Sequence, residues 1–358
     1  MSSRAFPDAP PGPLEAASLP VGRTVPNAAM VEPRGSRDQG NVDAGSRLPP
    51  APSLFRRFLP QIDHRTTGEV LQHPRFAEMR RHYIATTMAQ YEFANFPGGW
   101  QSTIYRVAAI GAIVCLHAAY DSADRATWPT LARFKEAMAT FGLSSARQID
   151  DFVARLVETG YVVLARVATD GRLRLLKPTE QLLDWDRTGL AGYYEALRIL
   201  YPDTGYDLPV ARDREFQLAM RKASTSYFPQ IAAFIREDTD LLPFLSMYQG
   251  VHILMHVIDL NLEPQSRPVR ERDLAGLQRR FGISRSHIRN TLSTAEAAGL
   301  ITVSGRSQRL IAATPRGLAA IDRFIANTLA SHDLGYRMAI AEFGHAADPR
   351  DRPDRPQR

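Results

Sequence analysis

Apolar residues recur at three- and four-residue spacing through most of the chain, in segments punctuated by glycine, serine and proline. The pattern predicts helices joined by tight turns, with only a few short strand-like runs. Two stretches repeat almost the same punctuation: FGLSSARQIDDFVARLVETGYV from Phe141 and FGISRSHIRNTLSTAEAAGLIT from Phe281. In the second, Ser284 can cap a helix that begins at Arg285, its hydroxyl taking a free N–H of the first turn. Ile288, Leu292 and Ala295 then share one face. Gly299 is placed to end the helix in a left-handed turn.

The match extends on both sides. Each copy continues into two short β-like runs, VVLARVATDGRLRLL and ITVSGRSQRLIAA, and then a proline-marked helix start, KPTEQLLDW and TPRGLAAIDRF. GYYEALRI (192–199) and GYRMAIAE (335–342) follow at equivalent places. Upstream stand two strongly apolar helical segments, IYRVAAIGAIVCLHAAY and FLSMYQGVHILMHVIDL, and a looser pair, RFAEMRR and REFQLAMRK. An ordered series at nearly constant offset reads as a duplicated module. RERDLAGLQRR (270–280) predicts an amphipathic helix before the Phe281–Ser284 turn, which gives a helix-turn-helix. Ile301–Val303 and Leu310–Ala313, joined by Ser304–Gln308, predict a β-hairpin.

The fold expected is mainly α with small β-hairpin wings: tandem winged helix-turn-helix modules able to form an intrachain pseudo-dimer. The expected domains are 1–53, a disordered tail rich in Pro, Gly, Ser and Ala; 54–200 and 201–345, the two modules with flanking helices; and 346–358, a second polar tail.

GISRSHIRNTLSTAEAAGLI, aligned without a gap, resembles the recognition-helix pattern of MarR-type winged-helix regulators, and TPRG resembles that family's closing helix start. The first copy keeps the Leu-x-x-x-Gly ending with Leu156 and Gly160. Both wings are about two residues shorter than is usual in the family. The resemblance implies a DNA-binding regulator whose second copy reads the major groove with Arg285, Ser286, His287, Arg289 and Asn290, where Arg pairs with guanine and Asn with adenine. Arg306 and Arg309 of the wing, and Arg279 and Arg280 before the turn, are expected at backbone or minor groove. In the first copy Ser145, Arg147 and Gln148, with Arg172 and Arg174 of the wing, are the corresponding candidates. Asp150 and Asp151 on the same helix would repel phosphate.

Composition narrows the partners. The net charge of +6 over 358 residues favours an anionic one. One cysteine, Cys115, excludes an intrachain disulfide and suits a reducing cytoplasm. No signal-peptide run is evident near the start, and the longest apolar stretch, 107–119, is too short to span a bilayer. The expectation is a cytoplasmic, nucleoid-associated bacterial protein with double-stranded DNA as partner and room for a small-molecule effector. It would act as a monomeric pseudo-dimer or a homodimer, without metal, cofactor, membrane contact or enzymatic activity. Two alternatives stand beside it: a plasmid or phage replication initiator, and a protein–protein adaptor built on winged helices. The aromatic cluster YEFANFPGGW (91–100) with Tyr105 is a candidate pocket lining. His252 and His256, one turn apart, and Cys115 read more simply as packed core.

Overall fold

In the computed structural model, residues 54–167, 170–262, 269–305 and 309–346 are described below. The expected disordered tails, 1–53 and all but the first residue of 346–358, lie outside this range. The chain is mainly helical, with two small antiparallel sheets. Helices α1 (Thr67–Leu71), α2 (Phe76–Gln90), α3 (Ile104–Ala118), α4 (Leu131–Phe141) and α5 (Ala146–Glu158) lead into strands β1 (Val162–Val167) and β2 (Asp170–Pro178). A long helix, α6 (Glu180–Leu200), closes this first copy. The second copy runs through α7 (Asp207–Val210), α8 (Arg214–Ser224), α9 (Phe228–Glu237), α10 (Leu242–Ser246), α11 (Gly250–Leu262) and β3 (Val269–Arg270). It continues with α12 (Gly276–Phe281), α13 (Arg285–Ala297), β4 (Ile301–Ser304), β5 (Leu310–Ala313) and the 32-residue α14 (Pro315–Ala346).

The sequence repeat becomes a repeat of individual bonds. Gly142 and Gly282, at φ 64° and 63°, end α4 and α12 in the left-handed conformation that a Cβ disfavours. Ser145 and Ser284 cap α5 and α13 with the same backbone angles, φ −78° and ψ 158°. After each helix the chain turns back alike: Tyr161 N donates to Leu156 O at 2.9 Å, and Leu300 N to Ala295 O at 2.9 Å. Thr179 and Thr314 then tie the start of the closing helix to that turn. Thr179 Oγ1 donates to Gly160 O (2.9 Å) and Thr314 Oγ1 to Gly299 O (2.8 Å). Both hairpins gain a third partner that local pattern does not reveal. Thr130 bridges Leu175 in the first copy, and β3 pairs with β5 through Val269 and Ile311 in the second.

Two expected helices differ. FLSMYQGVHILMHVIDL is broken into α10 and α11, because Gln249 takes φ 55° and is fastened to the first copy. Gln249 N donates to Ser102 O (3.0 Å), Ser102 Oγ to Gln249 Oε1 (3.0 Å), and Gln249 Nε2 to Tyr91 O (3.0 Å). The segment 270–280 is not one helix either. Arg270 joins the sheet, Glu271–Leu274 forms a 3-10 turn, and only Gly276–Phe281 is α-helical. Asp273 accepts from Arg270 N at 2.9 Å, fixing the helical turn directly after the strand.

Packing joins the copies by exchange. Helix α2 packs on α6 of its own copy and on α11 of the other, while α8 packs on α14 of its own copy and on α3 of the other. Likewise α1 packs on α14, and α7 on α6. The largest apolar cluster takes Tyr83, Met88, Tyr194 and Leu197 from the first copy and Phe216, Met255, Phe281, Leu292 and Ile325 from the second. Each such side chain contributes about 1.5–3 kcal/mol when fully buried. A smaller cluster around Ile113, Phe134, Phe152 and Leu156 sits under α5. The largest cluster is therefore built jointly by the two copies.

Candidate nucleic-acid interface

Helix α13 buries Ile288, Thr291, Leu292 and Ala295, which leaves Arg285, Ser286, Arg289 and Asn290 on its exposed side. Ser284 Oγ accepts from His287 N at 3.1 Å and fixes where the helix starts. Arg279 is exposed in the last turn of α12.

The arginines of that surface converge on a carboxylate that sequence reasoning passed over. Glu271, in the 3-10 turn after β3, is only 13% exposed at its side chain. Its Oε1 accepts from Arg289 Nε at 2.5 Å and lies 4.0 Å from Arg285 Nε. Its Oε2 is 3.4 Å from Arg309 Nη1, and Glu271 N donates to Arg309 O at 3.0 Å. Three guanidinium groups thus surround one carboxylate, leaving the patch positive. The bond to Arg289 uses Nε. The Nη groups are the part of a guanidinium that reaches furthest from the helix, and a held Nε limits where they can point.

Other candidates are held by neighbouring segments, Arg280 by the first copy and His287 by its own. Arg280 Nε donates to Glu92 Oε1 at 2.7 Å, and Arg280 O accepts from Phe93 N at 3.0 Å. Gln101 Nε2 donates to Gly282 O at 2.7 Å. His287 Nε2 lies 2.7 Å from Tyr248 O. At its other side the 91–101 segment meets α5, where Arg155 Nε donates to Gly98 O at 2.8 Å. This segment is a brace between the turn before α13 and the helix α5.

The first copy has a different balance. Ser145 and Gln148 form a reciprocal capping box: Gln148 N donates to Ser145 Oγ (3.3 Å) and Ser145 N to Gln148 Oε1 (2.9 Å). The Gln148 amide is therefore folded back onto its own helix rather than extended outward. Arg147 is 4.0 Å from Asp151, and Lys135 Nζ is 2.6 Å from Asp150. The carboxylates Asp150 and Asp151 of α5 thus each face a cation, one from α4 and one from α5 itself. Arg174 is exposed and stands opposite exposed Arg166 across β1 and β2, so this hairpin carries positive charge. Arg172 lies in β2, but its side chain is outside the described residues, as is all of Arg306.

Cys115 and His252 fall in the interior. Burial pushes the Cys115 thiol up to about 12, which leaves it protonated and unreactive at neutral pH. His252 packs between Tyr91 and Phe281, with ring centroids 4.8 and 5.8 Å away, and burial pushes its pKa down to about 3. Among the described residues, no group of three or more His, Cys, Asp or Glu could hold a metal ion. No described helix is long and apolar enough to cross a membrane. Tyr91 and the residues that follow the aromatic cluster, Ser102 and Thr103, border a cavity between the copies. No protein-family model, curated protein or solved structure matches this chain.

Proposed function

We propose that the chain is a sequence-specific DNA-binding regulator, built as two winged helix-turn-helix copies in an intrachain pseudo-dimer. Helix α13 is the principal reader. One observation carries this reading: Arg285, Arg289 and Arg309 gather on the exposed side of α13 and its hairpin, beside exposed Ser286 and Asn290. A surplus of guanidinium groups suits phosphate, and an arginine with a fixed Nε suits a guanine edge. The exchanged packing of α1, α2, α7 and α8 supports the pseudo-dimer, because each contact has a counterpart with the copies reversed, as in an isologous interface.

Arg285, Ser286, Arg289 and Asn290 would contact bases, and Arg279 and Arg309 phosphates. His287 and Arg280 position the turn through Tyr248 and Glu92. The first copy reaches DNA through its hairpin arginines more than through α5, whose charge is neutralised. The operator then has two unequal halves about one helical turn, ~34–36 Å, apart. The protein acts in the cytoplasm, on the nucleoid.

Selection of bound fragments from the source genome, with full-length protein at physiological salt, tests this. A few promoter fragments that share a two-part site are the expected result. Recovery of repeated arrays from a replication origin would favour an initiator instead. Recovery of nothing above background would overturn DNA binding and leave the adaptor reading, which the neutralised face of α5 favours.

A further inference from the structure

The segment 91–101 joins the turn before α13 to α5, and one side chain fastens its far end. Arg106, in the first turn of α3, is only 6% exposed and makes no ion pair among the described residues. A buried charge without a counter-ion is costly, and a position that merely filled space would not need one.

The surroundings of Arg106 show what holds it. Its Nε donates to Tyr105 Oη at 3.0 Å and its Nη1 to Gln101 O at 2.5 Å. Its guanidinium carbon lies 4.4 Å from the ring centre of Trp100, 5.2 Å from that of Tyr248, 5.4 Å from Tyr105 and 6.0 Å from Phe152. Ring faces attract a cation, and a planar guanidinium stacks and donates in fixed directions at once.

These rings come from both copies. Phe152 belongs to α5 and also stacks on Trp100, with centroids 6.1 Å apart. Tyr248 precedes α11 of the second copy, and its carbonyl lies 2.7 Å from His287 Nε2 in the first turn of α13. One path from α5 to α13 thus runs through Phe152, Trp100 and Arg106 to Tyr248 and His287. A second leaves Arg106 through Gln101, whose side chain donates to Gly282 O. The buried bond between Ser102 and Gln249 is separate, so the copies stay joined when this end of the segment loosens.

We propose that Arg106 is a positioning residue that fixes the placement of α5 and its hairpin relative to α13, and thereby selects the spacing of the two half-sites. The inference rests on the DNA-binding reading and adds what limits the geometry of the operator. One inserted base pair moves a half-site by about 3.4 Å and turns it by roughly 35°. A rigid link between the two surfaces does not follow such a change.

Three variants separate the contributions. Arg106→Met keeps much of the side chain's length and removes charge and donors. Tyr248→Ala removes one ring at a residue that is 47% exposed, which leaves the core untouched. Arg106→Lys keeps the charge and loses the planar fork.

The test is selection from duplexes with a random core, run in parallel on the full-length protein and each variant. The unaltered protein should recover two halves at one spacing, and lose about tenfold in affinity when one base pair is added or removed. The variants should recover the same halves at mixed spacings, with that loss reduced to about threefold. Spin labels on Ala154→Cys in α5 and Ser293→Cys in α13, both exposed positions, report the placement without DNA. Their distance distribution should broaden about twofold in the variants, as packed elements become free to slide. Cys115 is buried and takes no label. A single spacing kept by Arg106→Met and Tyr248→Ala, or distances that do not broaden, overturns the proposal. Full rescue by Arg106→Lys assigns the effect to charge alone and overturns it too. If the unaltered protein recovers no two-part site, the DNA reading fails, and the labelled distances alone decide whether Arg106 places the helices.

Discussion

Replacing Glu271 by Gln removes one charge from the centre of the α13 patch and keeps the side chain's shape. The arginines around it are exposed to different degrees, Arg285 at 68%, Arg289 at 48% and Arg309 at 31%. Solvent screens such pairs, so the loss of stability should stay below about 1 kcal/mol. The effect on DNA should be larger and should split in two. With the carboxylate gone, the patch changes from three positive groups against one negative to three against none. One further neutralised phosphate steepens the salt dependence of log K by about 0.9, and affinity for arbitrary duplex rises. Specific recognition should move the other way, because Arg289 loses the acceptor that holds its Nε. A guanine contact discriminates by about 1–3 kcal/mol. Loss of half of the middle of that range, about 1 kcal/mol, lowers the ratio of specific to nonspecific affinity about fivefold. Fluorescence anisotropy would measure it, with the selected operator and a shuffled duplex at three salt concentrations. A ratio that stays constant or rises, in a protein that still reads its operator, would refute Glu271 as a positioning residue. Failure of the unaltered protein to distinguish the duplexes would instead refute the reading of α13.

Two further predictions concern the scaffold. Gly142 and Gly282 share nearly the same left-handed conformation, which costs a side chain about 1–2 kcal/mol, but a Cβ at Gly142 meets nothing within 4 Å while one at Gly282 lies 2.8 Å from the Phe93 ring. Gly282→Ala should therefore lower the urea midpoint more than Gly142→Ala; equal losses would show that the Phe93 contact yields freely. Acid should weaken the fold through His252 and His332. Their folded pKa values, about 3 and about 4, lie below the 6.5 of the unfolded chain. The unfolded state therefore binds more protons below that value, and stability present above about pH 7 is lost as pH falls through 6.5 towards 4. Each contributes up to about 2 kcal/mol of loss by pH 5. His332→Gln should flatten the fall by the share that His332 contributes, read from urea unfolding at successive pH values.

Much of this architecture was legible because it is written locally. The Phe-Gly breaks at 141–142 and 281–282, the capping serines and the strands of the second hairpin depend on neighbours within a few residues, and the structure carries them in both copies. What was missed depends on distant chain. Glu271 looked like one more charge in an amphipathic helix, but strand pairing of Val269 and Arg270 with β5 carries it beneath Arg289. The break at Gln249 could not be read from FLSMYQGVHILMHVIDL, since its cause is Tyr91 and Ser102. Gln148 is a different case. Ser145-x-x-Gln148 has the spacing of a capping box, and weighing it as a base contact passed over a local signal that was present. The aromatic run 91–100 gave away its cavity-facing edge at Tyr91 but not its role as a brace, which rests on contacts with Arg280, Gly282 and Arg155 in two different copies.

The shared core has a kinetic and regulatory consequence. Two-chain assemblies fall apart on dilution, and their folded population depends on the protomer concentration. Here the partners of α2 and α8 are supplied by the same polypeptide, so their encounter is intramolecular and its effective concentration does not vary with expression level. Occupancy of any target by such a chain should follow its own concentration to the first power, down to a few molecules per cell. Because each half meets its counterpart within one chain, each can also change its sequence without having to remain compatible with a copy of itself.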